Sequence, residues 1–165
     1  GRVLTLPKTY INMTFYNRKS TRLPNYDYSN NNHYFITICT HEKKCIFGSI
    51  DTLNECGMIV RNALENLSTH YKGVYVENYI VMPNHIHAII VLENQDKTLS
   101  EIIGLFKSGV SRDIKKTYPA MRVWQRSFHD HIIRNEKSYS KIWEYVQYNN
   151  QKWEQDCFYV DEKTL

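Results

Sequence analysis

The sequence lacks a hydrophobic run long enough to cross a membrane, and its cysteines have no spacing typical of a redox or zinc motif. No segment of the 165 residues approaches the roughly 18 to 20 consecutive apolar residues of a membrane-spanning helix. The N-terminus has no apolar core like that of a signal peptide. Because no export signal is evident, we expect reduced, partly buried thiols at Cys39, Cys45, Cys56 and Cys157. These absences predict a cytoplasmic protein.

A second domain is not needed for a chain of this length, which suits one domain with a substantial core. The apolar fraction of 42% and the charged fraction of 23% are ordinary for a globular protein. The aromatic fraction of 13% is high, and tyrosine supplies 13 residues of it. Aromatic faces can stack on unpaired bases, but they fill protein cores equally well.

The net charge of +4 is unevenly distributed along the chain. Residues 1–32 carry five basic residues against one acid, and residues 97–141 carry ten against four. Clustered positive charge is expected where a protein binds a polyanion, because neutralised phosphates release their counterions. A solvated basic surface with no partner would have the same composition, so charge alone leaves both interpretations open.

The pattern along the chain predicts a basic N-terminal arm over residues 1–32 and a single domain over residues 33–165. Predicted strands cover residues 33–40, 74–82, 85–92 and part of 123–134. Predicted helices run from a cap at Asp51 to about residue 70, from a capping box at Thr98 and Glu101 to about residue 116, and over residues 137–153. The order β-α-β-β-α-β-α predicts an α+β fold: a ferredoxin-like sandwich with a central antiparallel sheet and an additional C-terminal helix.

Two histidines, His85 and His87, begin the predicted strand over residues 85–92. Side chains two positions apart on a strand share one face, so both imidazoles can bind one divalent cation. The alternative is that both are half-buried structural residues, which is the commoner case for an isolated His-x-His.

The same strand is apolar on both faces. One face carries Ile86, Ala88, Ile90 and Leu92, and the other carries His85, His87, Ile89 and Val91. Two helices of a ferredoxin-like unit cover only one face, so the third helix must cover part of the histidine face. Tyr145 and Asn149 lie four residues apart on that predicted helix and therefore share a side of it. This packing predicts that they approach the histidines.

Several segments in the same order give a family resemblance. They are Met82-Pro83-Asn84 followed by His85-Ile86-His87, the segments 104–108 and 124–135, and Tyr145 with Asn149. Together they resemble the single-tyrosine HUH transposases of the IS200-like family. The similarity is greatest to the REP-associated tyrosine transposases, in which residues 18–23 and 26–28 also have counterparts. The resemblance extends from Arg18 to about Trp153.

The resemblance implies a metal-dependent DNA nickase and strand transferase that acts on single-stranded or hairpin DNA with palindromic elements. His85 and His87 would hold Mg²⁺ or Mn²⁺, with Asn149 as a third ligand. Tyr145 on the C-terminal helix would attack the scissile phosphate, which gives a 5′-phosphotyrosine and a free 3′-OH. Relatives act either as homodimers or alone, so the resemblance leaves the oligomeric state open.

The chemistry of that reaction agrees with these residue types. A phenol has a pKa near 10, so it is a poor nucleophile at neutral pH unless a cation or a base assists loss of its proton. A divalent cation can polarise and orient the phosphate, and a mixed nitrogen and oxygen shell accepts Mg²⁺ or Mn²⁺. Tyr139 and Tyr148 are competing nucleophiles, and His129 with His131 forms a second His-x-His pair. For that pair we favour packing or DNA contact over a four-histidine zinc site.

Candidate DNA contacts come from the two basic stretches and are Arg18, Lys19, Arg22, Lys107, Arg112, Lys115, Lys116, Arg122, Arg126 and Arg134. Each one alone is more often a solvated surface charge. An alternative function is a domesticated DNA hairpin-binding protein that does not cleave, although every proposed catalytic position is filled. An RNA-binding sheet is a third hypothesis, but no run resembles the aromatic motif of RNA-recognition modules.

Overall fold

The computed structural model describes Asp27 and residues 32–160. Most of the predicted arm, including Arg18, Lys19 and Arg22, lies outside the described residues. The strands are β1 Asn32–Cys39, β2 Val74–Met82, β3 His85–Leu92 and β4 His129–Ile133. The helices are α1 Glu55–Glu65, α2 Leu67–His70, α3 Leu99–Thr117 and α4 Glu136–Gln147, and 3-10 turns cover His41–Lys43 and Asn149–Gln155.

The four strands form one sheet in the order β2-β3-β1-β4, and each pair of neighbours is antiparallel. Strands β1 and β2 are therefore parallel with β3 between them, and β3 and β4 are parallel with β1 between them. A helical segment connects the two strands of each parallel pair, which makes two split βαβ units. The predicted α+β fold with a central antiparallel sheet is confirmed.

Two separate cores lie on the two faces of the sheet. On one face, side chains of β3 such as Ile86 and Ile90 pack with residues of α1 and α3. On the other face, Ile89 packs with Ile142 and Val146 of α4. Every residue of β3 is buried, which agrees with its double-sided apolar pattern. The prediction that the third helix covers part of the histidine face is therefore confirmed.

The first helix begins later than predicted and is divided. Asn54, not Asp51, is the N-cap, because its Oδ1 accepts a hydrogen bond of 3.0 Å from the Gly57 amide. The segment before it closes a tight turn in which the Ser49 amide donates to the Thr52 carbonyl at 3.0 Å, so Asp51 cannot start a helix. The helix then breaks at Asn66, which separates α1 from α2.

The predicted fourth strand is also shorter than expected. Only residues 129–133 pair with β1, while residues 123–128 cross the end of the sheet with a single bridge between Trp124 and Thr40. The Lys107 ammonium holds this crossing segment by donating to the carbonyls of Gln125 and Ser127, each at 2.8 Å.

The last predicted helix ends at Gln147 instead of at residue 153. Tyr148 caps it with φ −108° and ψ 12°, and the chain continues as the 3-10 turn Asn149–Gln155. Tyr145 therefore lies on α4, whereas Asn149 lies in the following turn. The idea of one continuous helix through both residues was wrong.

Helices α3 and α4 begin at residues whose side chains cap them, as short-range rules predict. Thr98 and Glu101 form the predicted capping box at the start of α3. Asn135 caps α4 through a hydrogen bond of 2.8 Å from the Ser138 amide. None of the helices in the described part of the chain combines the length and apolar character needed to cross a membrane.

Candidate active site

The tight turn between β2 and β3 orients the first histidine through Asn84. The Asn84 Nδ2 group donates to the carbonyls of Lys43 at 3.1 Å and Phe158 at 2.8 Å. Its Oδ1 therefore faces His85 Nδ1, at 2.8 Å, and accepts a hydrogen bond from it. Because a neutral imidazole carries only one N–H, the Nε2 atom of His85 keeps its lone pair.

The second histidine can occupy two tautomers without moving its ring. His87 Nδ1 lies 2.8 Å from Thr37 Oγ1, and His87 Nε2 lies 3.1 Å from His85 Nε2. In one tautomer His87 Nε2–H donates to His85, and the Thr37 hydroxyl donates to His87 Nδ1. In the other, His87 Nδ1–H donates to Thr37, so two Nε2 lone pairs face each other. A cation between the two atoms would stabilise that second arrangement.

Burial keeps both rings neutral. It lowers the pKa of His87 to about 3. It also lowers the pKa of His85 well below its ordinary range, with smaller contributions from His87 and Lys43. Neutral imidazoles are the form that binds a metal ion. The pair is therefore in the ligand state at neutral pH.

Two buried oxygen atoms complete the surroundings of the pair. Asp156 Oδ2 lies 3.8 Å from His85 Nε2, and the Asp156 side chain is only 1% exposed. Neither this oxygen nor Asn149 Oδ1 has a hydrogen-bond partner. An unpaired buried oxygen is costly, so each marks a place where a cation would be stabilising.

The donor atoms fit one hard divalent ion. Ligand atoms of His85, His87 and Asp156 all lie within 4.8 Å of one another. In an octahedral shell with bonds of about 2.1 Å, adjacent ligand atoms are about 3.0 Å apart, close to the 3.1 Å between the two Nε2 atoms. Two imidazole nitrogens and a carboxylate oxygen could therefore hold one divalent cation.

Tyr145 brings a phenol to this donor set within the same chain. Its hydroxyl lies 3.4 Å from His87 Nε2. Its ring makes edge contacts with the rings of Phe35 and His87, with centroids 6.0 Å and 5.2 Å away. Burial raises the pKa of Tyr145, as does the Asp156 carboxylate, while a hydrogen bond with the Asn149 side chain lowers it. The phenol is therefore protonated at neutral pH unless a bound cation assists it.

The two competing tyrosines lie elsewhere. The Tyr139 hydroxyl donates to Glu77 Oε2 at 2.8 Å, and its ring meets His33. His33 pairs with Val91, near the opposite end of β3 from His85. Tyr148, with 46% of its surface exposed, is turned toward solvent. The geometry therefore favours Tyr145 among the three.

The second histidine pair is on β4, one strand beyond β1. Thr37 pairs with both His87 and His129, which puts His129 on the same face of the sheet as the first pair. The group of side chains within the described residues that could hold a metal ion consists of His85, His87 and Asp156. It includes neither His129 nor His131.

The predicted DNA-contact residues are spread over several parts of the fold. Arg112, Lys115 and Lys116 are exposed on α3, in the layer opposite the histidine face, and Arg122, Arg126 and Arg134 are exposed near β4. The ammonium of Lys107 is held by two carbonyls of the crossing segment. That these residues contact DNA stays a prediction, and the position of Lys107 favours a role in holding that segment.

Asp156 is the residue that sequence reasoning missed. It lies beyond the last segment of the family resemblance, in a short turn that no periodicity distinguishes. Its position depends on the 3-10 turn Asn149–Gln155, which returns the chain over the histidines, and on a hydrogen bond of 2.8 Å from the Phe158 amide to Asp156 Oδ1.

Comparison with known protein families identifies the chain. The family description "Transposase IS200 like" matches residues 28–149. The chain belongs to the IS200-like transposase family. Its predicted resemblance to the REP-associated members is also confirmed. A protein of Haemophilus influenzae that carries the name REP-associated tyrosine transposase is 26% identical over 156 residues, covering 83% of this chain and 85% of that protein.

A further relative and two structures extend the comparison of this IS200-like transposase. An uncharacterized protein of Haemophilus influenzae is 37% identical over 178 residues, covering 93% of this chain and 99% of the relative. A REP-associated tyrosine transposase bound to a REP hairpin superposes with a TM-score of 0.59 at 20% identity, covering 79% of this chain and 73% of the other. A transposase structure from Deinococcus radiodurans superposes with a TM-score of 0.53 at 15% identity, covering 76% of this chain and 95% of the other. At these identities the two structures support the fold alone.

The buried histidines of this transposase predict an acid-sensitive fold. A histidine in the unfolded chain titrates near pH 6.5, whereas the folded pKa values of His85 and His87 are lowered. Below pH 6.5 the unfolded state therefore binds more protons, and the free energy of unfolding decreases as the pH falls through this window. We expect the free energy of unfolding to fall by on the order of 2 to 4 kcal/mol between pH 7 and pH 5. Burial raises the pKa of Asp156, which has the opposite effect on stability and offsets part of this loss.

Urea unfolding of the metal-free protein at several pH values measures this dependence. A double variant with His85→Gln and His87→Gln should lose much less stability between pH 7 and pH 5 than the parent chain. An unchanged pH dependence in the double variant would mean that other groups cause the acid sensitivity.

Proposed function

We propose that this chain is a metal-dependent, single-tyrosine HUH nickase and strand transferase that acts on single-stranded DNA with hairpin or palindromic elements. The observation that carries the proposal is the approach of the Tyr145 hydroxyl to His87 Nε2, which itself faces His85 Nε2. A nucleophile and a metal-ligand pair from distant parts of the sequence thus meet in one chain. This supports a site whose nucleophile and metal ligands come from the same chain.

The reaction would form a phosphotyrosine and release a hydroxyl end. The Tyr145 oxygen attacks the scissile phosphorus, the bond to the 3′-oxygen breaks, and the 5′ end of the DNA becomes joined to the protein. One proton leaves the phenol and one reaches the departing 3′-oxygen. Attack by a 3′-OH on the phosphotyrosine reverses these steps and joins strands without ATP.

Several residues of the chain would have separate roles in this reaction. His85 and His87 would hold a Mg²⁺ or Mn²⁺ ion, with Asn149 and Asp156 supplying oxygen ligands. When bound, the ion withdraws charge from the phosphate oxygens and helps to orient the phosphate for in-line attack. Asn84 and Thr37 orient the two imidazoles through their Nδ1 atoms. Phe35 and His87 hold the Tyr145 ring at its edges.

Hairpin DNA is the substrate class that the comparisons support best. The REP-associated tyrosine transposase with the same fold is bound to a REP hairpin. The basic stretch over residues 97–141 also agrees with a polyanionic partner. We expect the cleaved sequence to lie beside inverted repeats in the DNA that flanks its gene.

Covalent capture tests the proposal. The full chain is incubated with end-labelled single strands that carry those repeats, in the presence of Mn²⁺, and the products are separated under denaturing conditions. We expect a labelled protein–DNA adduct together with a fragment that ends in a 3′-OH. Tight binding with no adduct on any strand would instead indicate a non-cleaving hairpin-binding protein.

The proposed role of Asp156 leads to a separate prediction with a smaller expected effect. The variant Asp156→Asn keeps the shape of the side chain but removes its charge. We expect the affinity for Mn²⁺ to fall by roughly 10- to 100-fold, as it does when groups that support a metal site are lost. Titration calorimetry measures the change, and Asp113→Asn is the control because Asp113 lies on α3 in ion pairs with Arg112 and Lys116. Equal Mn²⁺ affinity in the two variants would remove Asp156 from the site.

A further inference from the structure

A loop directly after β1 brings a cation to the edge of the candidate active site. Glu42 and Lys43 both have φ of 55°, a left-handed conformation that turns the chain sharply. The Lys43 ammonium then lies 5.3 Å from the centre of the Phe158 ring, and that ring centre lies 4.8 Å from that of His85. Lys43 is also within electrostatic range of Asp156, because it lowers the pKa of that carboxyl.

The backbone of the same loop is part of the site. The Lys43 carbonyl accepts the hydrogen bond from Asn84 Nδ2 that fixes the orientation of the Asn84 amide, and hence of His85. His41, two residues before Lys43, is fixed by a hydrogen bond of 2.9 Å from its amide to the Val123 carbonyl. The loop is therefore held on both sides and keeps Lys43 in place.

A cleft of about 740 Å³ lies on the other side of this loop, between it and the turn that follows α3. Its walls combine basic, aromatic and apolar side chains, among them His41, Lys44, Tyr118, Met121 and Arg122. The Tyr118 ring is 41% exposed, and a hydrogen bond of 3.4 Å from its hydroxyl to Glu55 Oε2 holds it. A base could therefore stack on it without reordering the turn.

The acidic side chain in this wall cancels only part of its positive charge. Glu42 lies 3.0 Å from Lys44 and 3.6 Å from His41. Hydrogen bonding and attraction to Lys44 lower the pKa of Glu42, with smaller contributions from His41 and Arg122. Together with Lys43 and Arg122, the cleft and its border keep an excess of positive charge.

We propose that this cleft binds the single-stranded DNA segment next to the scissile phosphate, and that Lys43 contacts the backbone phosphate between the cleft and Tyr145. The proposal rests on the proposed function and adds a binding subsite to it. Positive grooves with exposed aromatic rings bind single strands through phosphate contacts and base stacking. The short loop borders both the cleft and the histidine site, so one strand can occupy both without a break.

Salt-dependent binding of a single strand tests the charge contacts. The probe is a fluorescent oligothymidine of about twelve nucleotides, and its affinity is measured by polarisation between about 50 and 200 mM salt. The double variant Lys44→Ala and Arg122→Ala should bind about tenfold more weakly at low salt. Its slope of log affinity against log salt should decrease by about 1.4, which corresponds to two lost phosphate contacts.

A matched double variant controls for the loss of charge. Lys72→Ala and Lys97→Ala remove the same charge near the opposite end of β3, where Val74 pairs with Leu92. This control should keep the slope of the parent chain. Equal slopes in the two double variants would overturn the proposal.

A second pair of variants tests the stacking contact. Tyr118→Phe keeps the ring and should bind the oligothymidine as the parent chain does, whereas Tyr118→Leu should lose about tenfold in affinity. Equal affinity in both variants would show that the ring is not used, and the base-binding part of the proposal would fail.

Failure of the subsite can be told apart from failure of the proposed function. If the Lys44 and Arg122 variant forms the Tyr145 adduct with an unchanged KM for DNA, the subsite is wrong and the nicking activity stands. If that variant binds the oligothymidine more weakly while the parent chain forms no adduct on any substrate, the subsite stands as a DNA-binding site and the nicking activity is wrong.

Discussion

Tyr145→Phe is expected to abolish the covalent protein–DNA adduct and to lower the nicking rate by on the order of 10⁴-fold or more, because it removes the attacking oxygen. The ring that packs against Phe35 and His87 remains. Binding of hairpin DNA and of Mn²⁺ should therefore change little. Denaturing gels measure the adduct, and polarisation measures DNA affinity on the same preparations.

Two further tyrosine variants serve as controls for this result. Tyr139→Phe removes only a hydroxyl that donates to Glu77, and Tyr148→Phe changes a solvent-exposed side chain. Both should form the adduct at close to the parent rate. An adduct that persists in Tyr145→Phe and disappears in one of these controls would assign the nucleophile to the other tyrosine.

Loss of one imidazole of the pair should have the second largest effect. His87→Gln keeps a polar side chain but replaces the Nε2 atom that faces both His85 and Tyr145. We expect a decrease in Mn²⁺ affinity of roughly 100-fold or more and in the nicking rate of about 10³-fold, because a bound ion contributes several kcal/mol to the stabilisation of the transition state. Calorimetry with Mn²⁺ and single-turnover nicking measure the two quantities.

The control for this variant uses the second histidine pair. His129→Gln changes an imidazole on the same face of the sheet that is outside the group of metal-binding side chains. It should keep the Mn²⁺ affinity of the parent chain. Nicking that continues at the parent rate in His87→Gln, or in the presence of a strong chelator, would contradict a metal-dependent reaction.

The parts of this fold that the sequence predicted are those that depend on local rules or on a strong apolar pattern. The capping box at Thr98 and Glu101 needs only residues three apart. The placement of α4 over the histidine face followed from the apolar residues on both sides of β3, and it brought Tyr145 to His87 without any further information.

The parts that could not be predicted depend on contacts between distant segments or on competition between similar local signals. Asp51 and Asn54 are both good N-cap residues, and the turn at Ser49 and Thr52 decided between them. The end of α4 at Gln147 moved Asn149 from a helix into a turn. The same turn carries Asp156 back to His85, a placement that depends on tertiary structure and not on spacing.

Anomalous diffraction at the manganese edge, from crystals of the full chain grown with Mn²⁺, tests most directly whether both imidazoles and Tyr145 share one ion. We predict a single strong peak within bonding distance of the Nε2 atoms of His85 and His87, beside the oxygens of Asp156 and Asn149 and facing the Tyr145 hydroxyl. The account would be contradicted if the protein nicks DNA with Mn²⁺ while its crystals show the ion bound away from the two imidazoles.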